Sequence, residues 1–262
     1  MNNCFDIVRK HDPDRFLIGL LMPRTKRADL WPIYAFNFEV AKTAEVVSEP
    51  MLGNIRLQWW RDAIEEIYNG DIPRKHEVVE PLAAVIKKYD LPKDDFLALI
   101  NVREFDLEYK MLSDWESFEI YARKTNAPLN ALALKILEGE EGQDTLNQIS
   151  FYYGAIGLLR AIPFHLNQRR LFIPQDVLEA HDVSLQKILD FNQFENLPNA
   201  VMDVLERLNS LEGIKPKTRY MKAVQKTAKL YGGQLKKADG DFQKSEFSKE
   251  PSFKALRLFL NK

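Results

Sequence analysis

The sequence predicts an all-α, single-domain protein over residues 1–262, and three observations predict it. Apolar residues recur at three- and four-residue steps along almost the whole chain, the period of a helix with one buried face. No stretch alternates apolar and polar residues as a half-buried strand does, and there is no internal repeat or low-complexity run. A hydrophobic content of 45%, with four Trp and sixteen Phe, is enough to fill one large core in a chain of 262 residues.

The elements follow in order. Asp14 to Met22 forms a short opening helix with Phe16, Leu17, Leu20 and Leu21 on its apolar side. From Trp31, the residues Ile33, Phe36, Val40, Ala44 and Val47 share one face, and Pro50 ends that helix near Ser48. The next helix buries Leu52, Ile55, Trp59, Trp60, Ala63, Ile64 and Ile67 and stops at Asn69-Gly70, a natural left-handed cap. Glu77 to Tyr89 follows, broken by Asp90-Leu91-Pro92, and then Lys93 to Leu112. Ser113 to Leu137 is interrupted at Asn126-Ala127-Pro128, and Asp144 to His165 is the longest apolar helix, which Pro163 kinks or ends. Arg170 to Pro174 is extended, and helices resume at Asp176, Ser184, Leu197, Arg219 and Ser252.

Charge and cysteine content remove several function classes. A net charge of −1 gives no global attraction to nucleic acid. The single cysteine, Cys4, excludes an intramolecular disulfide, suits a reducing compartment and lacks the neighbourhood of a nucleophile. No run approaches the ~20 apolar residues of a membrane span. The N-terminus is too charged for a signal peptide and too acidic for a transit peptide, so the chain reads as cytosolic or as a mature form.

Two stretches carry a resemblance. Met22-Pro23 followed by Leu30-Trp31-x-x-Tyr34-Ala35-Phe36 resembles the opening of the squalene/phytoene synthase family, and Arg169-Arg170-Leu171-Phe172-Ile173-Pro174 is similar to that family's Arg-x-Tyr-Leu-Pro segment. The resemblance implies an isoprenoid-synthase-like helical bundle around a central cavity. Enzymes of the family join two prenyl diphosphates and hold Mg²⁺ on two acidic motifs. Where the first motif stands, this chain has Ala41, Lys42 and Glu45, with Phe38 at another position that is polar in the enzymes. Across the second motif it has Gly154, Gly157, Arg160, Ala161, Phe164 and His165, so only the arginine remains.

That loss bears on chemistry. Mg²⁺ takes hard oxygen ligands in octahedral geometry, and Ala, Gly and Phe offer none. Metal-dependent condensation is therefore not expected, no cofactor is implied, and Mg²⁺ enters only if the chain still acts on prenyl diphosphates. Within the family, a branch lacking the acidic motifs is typified by a mitochondrial assembly factor for respiratory complex I. Residues similar to that branch are Ala35-Phe36-Asn37-x-Glu39-x-Ala41, Val47-Ser48-Glu49, Gly53-x-x-Arg56-x-Gln58-x-Trp60 and Arg160-Ala161-x-Pro163-x-His165. The implied role is help in complex I assembly through a bound subunit, assembly intermediate or lipid. The alternative is a prenyltransferase or prenyl-diphosphate-binding protein, with Arg160, Arg169 and Arg170 gripping phosphate.

Other features read plainly. Lys42 lies three residues from both Glu39 and Glu45, an ion-pair spacing on a helix surface. Gly154, Gly157 and Ala161 share a face suited to close helix approach, and His165 is either a structural histidine or a ligand without a second ligand at four residues' distance. The acids at 65–66, 94–95 and 104–108 read as surface charge, and His11, His76 and His181 as solvent-exposed. Between Gly213 and Ala238 stand eight basic residues and no acid, with Met221, Val224, Ala228 and Leu235 as an apolar side. Such a helix either packs normally with a solvated lysine face or lies on anionic lipid, which would place the protein peripherally at the inner membrane, on the matrix side for a processed mitochondrial form. Positive charge through Arg160, His165, Arg169 and Arg170 is the surface expected to meet a partner.

Overall fold

A computed structural model describes residues 3–108 and 110–259, and every regular element among them is helical. The chain forms two compact units, each drawn from separate stretches of sequence. One takes residues 1–110, 124–142 and 217–220, the other 111–123, 143–216 and 221–262.

The first unit is built on the helix Leu30–Ala41, where ten of twelve residues are buried. The sequence explains its position. An apolar run this dense, flanked by Trp31, Tyr34 and Phe36, cannot present a solvated face and must be covered all round. Asn3–His11 and Val79–Tyr89 pack on it, as does Ala127–Leu137. Trp31 sits among Phe5, Phe16 and Tyr34 with ring centroids 5.5–6.4 Å apart. Inside this unit, Tyr34 Oη donates to Tyr220 Oη at 3.3 Å, and Tyr220 Oη donates to Asn130 Oδ1 at 2.8 Å. Burial pushes the Tyr34 hydroxyl well above the usual phenol range.

In the second unit, Trp115, Phe118 and Phe151 form an aromatic core with centroids 5.4–6.0 Å apart. Residues 221–237 of the helix Arg219–Lys237 belong to this unit, where Gly232 permits close approach to Gln143–Arg160. A Cβ on Gly232 would lie 3.3 Å from Tyr152 Oη and 3.4 Å from Ile156 Cδ1. Pro163 acts as expected, since the long apolar helix ends at Arg160 and resumes at Ile162–Asn167.

Four expectations change. The charged N-terminus is itself a helix, Asn3–His11, with Cys4 and Val8 fully buried. The first long helix breaks at Lys42 instead of reaching Ser48, takes one more turn over Thr43–Val46 and extends at Val47. The helix expected over Lys93 to Leu112 stops at Asn101, with a short turn at Glu104–Leu107; position 109 lies outside the described residues. Leu52 and Ile55 are exposed, because the Pro50–Asn69 helix buries the stripe Gly53, Leu57, Trp60 and Ile64. Gly53 sets that face, for a Cβ there would overlap the Leu107 methyls.

The basic helix resolves toward packing. Met221, Val224, Ala228 and Leu235 are buried in the second unit, and Lys236 pairs with Glu212 at 2.9 Å. No helix of the described residues is long and apolar enough to cross a membrane.

Gly19 packs against Trp31 so closely that a Cβ would meet its ring carbons at 2.5 Å. Gly19→Ala is therefore expected to destabilise the protein by about 1–3 kcal/mol through overpacking. A urea titration reads this as a lower midpoint, and an unchanged midpoint would contradict the tight fit.

Candidate functional site

In the first unit, the first acidic-motif region holds an ion-pair cluster of one carboxylate and two cations. Lys42 Nζ reaches the Glu39 carboxylate at 2.5 Å, not Glu45, and Arg56 Nη2 reaches the same carboxylate at 2.7 Å. Glu39 is buried, and a buried carboxylate must be paired. Phe38 is half-buried, with His11 stacked on it at 4.4 Å and Lys42 Nζ 4.8 Å from its ring. Glu45 lies apart. Desolvation pushes its carboxyl above the usual range, against the pull of the Arg103 guanidinium and with the repulsion of Asp106. Asp106 is buried beside Arg103 at 3.4 Å, which corrects its reading as surface charge.

The second-motif residues lie in the second unit. Gly154 is buried in the Gln143–Arg160 helix. Gly157 has open space beside it, with nothing within 4 Å of an added Cβ, so close helix approach is not its role. The Arg160 guanidinium lies 3.2 Å from the centroid of the Tyr231 ring, whose hydroxyl bonds Glu250 at 3.1 Å and Lys254 at 2.8 Å. Ala161 is the joint between two helices, and Phe164 is largely exposed. His165 packs 4.6 Å from Phe172, and its Nδ1 is buried without a hydrogen-bond partner. Burial, then the neighbouring Arg170, pull its pKa down to about 4. Arg169 is exposed and pairs with Asp190 at 2.9 Å. Arg170 is buried, its guanidinium 4.7 Å from the Phe172 ring, so the expected exposed basic pair is one exposed and one interior arginine.

The other histidines also have partners. His76 packs between Trp59 and Trp60 at 5.3–5.4 Å, and its Nδ1 accepts from the Val78 N–H. His181 Nε2 lies 3.1 Å from Asp203. Cys4 is sealed in the core, and its thiol is pushed up to about 12 by burial and then by Glu77.

The model of the squalene/phytoene synthase family matches residues 8–247. The chain belongs to that family. Among its relatives is the Homo sapiens protein named NADH dehydrogenase (ubiquinone) complex I, assembly factor 6, 30% identical over 203 residues, or 77% of this chain and 61% of that protein. The Mus musculus protein of the same name is 32% identical over the same shares. The chain thus spans less than two thirds of these relatives' length. A solved squalene synthase from Alicyclobacillus acidocaldarius superposes with a TM-score of 0.76 at 18% identity, covering 90% of this chain and 92% of that one, which shows the isoprenoid-synthase helical fold.

The enzymes of this family imply Mg²⁺, and the donor set here does not fit it. Glu39, Glu45 and Asp106 are the acids near the first motif, with Lys42 and Arg56 on Glu39 and Arg103 beside the other two, while the second-motif positions offer no carboxylate. Among the described residues no three His, Cys, Asp or Glu side chains gather as a metal-holding group. Sequence reasoning missed Arg103, Asp106 and Tyr231. Glu39 and Arg56 stand in two of the branch motifs, yet spacing alone did not pair them. The available signal was an acid on an almost wholly apolar helix with an arginine on the next one.

Two substitutions probe this geometry. Gly157→Ala fills open space at a helix interior position and is expected to stabilise by about 0.5–1 kcal/mol; a loss of stability in thermal melts would mean the space is filled. His165 stays neutral in the fold down to about pH 4, while the unfolded chain takes up a proton near 6.5. The unfolded state then binds more protons between those values, so stability falls as pH drops from 6.5 toward 4. His165→Phe is expected to flatten that fall by on the order of 2–3 kcal/mol at pH 4. Parallel acid-unfolding slopes for the two proteins would refute it.

Proposed function

We propose that this protein is a catalytically degenerate synthase-like factor that assists the assembly of respiratory complex I by binding a subunit or a lipid. The observation that carries the reading is the likeness to assembly factor 6, at 30% identity across 77% of the chain. The chemistry agrees with it. A diphosphate leaving group needs divalent metal held by carboxylates, and the positions that would hold it are Ala41, Lys42, Ala161 and His165. The arginine retained from the second motif is stacked on Tyr231. At the first motif, Lys42 stands where a synthase has a metal-facing carboxylate, and it is bound with Arg56 to Glu39.

Association of the protein with the matrix or inner-membrane surface follows from that role, with no spanning segment among the described helices. Contact with the assembly intermediate is assigned to exposed groups such as Arg169 and not to Arg170, whose burial makes it a packing residue.

Deleting the gene is expected to lower assembled complex I on native gels and NADH:quinone activity, with carotenoid and hopanoid levels unchanged. Purified protein with Mg²⁺ and farnesyl diphosphate is expected to release no pyrophosphate, and the Ala41→Asp/Ala161→Asp double variant none either, because a site needs its whole constellation. Normal complex I in the deletion strain would remove the assembly reading. Pyrophosphate release abolished by EDTA would instead favour a prenyl-diphosphate enzyme.

A further inference from the structure

The Pro50–Asn69 helix has two apolar faces, and only one of them is packed. At about 100° per residue, Leu52, Ile55 and Trp59 form a ridge well away from the buried stripe of Gly53, Leu57, Trp60 and Ile64. Met51 and Ile55, one turn apart at the start of this helix, expose 65% and 59% of their surface, and Val46 on the preceding turn exposes 57%. A groove of about 410 Å³ lies along the ridge, lined by Leu52, Ile55, Arg56, Trp59, Trp60 and His76, with Glu39 at the Arg56 end.

Trp60 belongs to the packed stripe at 1% exposure and only backs the groove. Arg56, whose side chain is 31% exposed and bonded to Glu39, is therefore the donor a partner can reach. The charge seen from solvent is positive at this end, since the Glu39 side chain is 9% exposed against 31% for Arg56 and 25% for Lys42.

We propose that this face docks an amphipathic helix of a partner protein, which lays its apolar stripe along Leu52, Ile55 and Trp59 and turns a carboxylate toward Arg56. The spacing of the ridge, at i, i+3 and i+7, is the one that helix-in-groove recognition reads. Asp62 and Glu66, both partly exposed, stand one and two turns beyond Trp59. A partner helix can keep its carboxylate at the Arg56 end, whereas an anionic membrane would cover both ends and is disfavoured. A second copy is disfavoured because a self-complementary contact here would bring like charges at Arg56 together. Nothing in this geometry depends on a role in complex I assembly.

The test places a photoreactive benzoyl-phenylalanine at Ile55 in the full chain in its own host and sequences the crosslinked peptide. The expected peptide comes from another protein and carries apolar residues at i, i+3 or i+4 and i+7, bordered by Asp or Glu. Crosslinks to lipid alone, to a second copy, to a segment without that pattern, or to nothing would overturn the proposal. A synthetic peptide of the recovered sequence should then bind the purified protein, and Leu52→Asp, at an exposed position that leaves the melting curve in place, should weaken binding about tenfold or more. Equal binding by that variant, or by a peptide with its acids changed to Lys, would also overturn it. A matching helix from a protein unconnected with respiration would keep this inference and remove the assembly reading, so the two fail separately.

Discussion

A carboxylate cannot be buried alone, and Glu39 is the place where this chain meets that constraint. It sits near the end of a helix that is buried on nearly every side, and the cost of an unpaired charge there is several kcal/mol. Lys42, one turn on, supplies one cation; Arg56, on the next long helix, supplies the other. The pairing joins the Leu30–Ala41 and Pro50–Asn69 helices by charge, and it commits Lys42 to structure. The same clamp holds Arg56 at the edge of the groove. An acid two residues before Ala41 is thus held by two cations, one of them the motif-position residue Lys42.

Much of the fold was legible because burial leaves a period. The helices at Pro13–Leu21, Val79–Tyr89, Ala127–Leu137 and Leu197–Arg207 stand within a few residues of where the apolar spacing put them. Proline and Asn-Gly placed the stops at Gly70 and Ala161 for stereochemical reasons that tertiary contacts rarely override. The failures share a cause. Asn3–His11 carries its apolar signal on Cys4 and Val8, too few residues for a period to show. On Pro50–Asn69 a glycine chose the buried face, and glycine has no hydropathy to announce it.

The site was legible by subtraction only. Missing carboxylates at 41, 161 and 165 can be read from residue types, whereas what replaced them depends on distances. His165 and Arg170 looked like charge near a surface; packing against Phe172 makes one a neutral ring and the other an interior cation. Asp106 alternates with two surface acids, and only the fold shows that it is covered and paired with Arg103. Sequence spacing assigns a side chain to a face, and tertiary contacts decide whether that face meets water.

Cys4 offers a practical consequence of the first helix's burial. It is the chain's sole thiol, fully covered from solvent and held far from ready deprotonation. Alkylation can proceed only when Asn3–His11 lifts from its seat against Leu30–Ala41. The labelling rate with iodoacetamide is therefore an intrinsic clock for the opening of that one helix, with no engineered probe and no competing site.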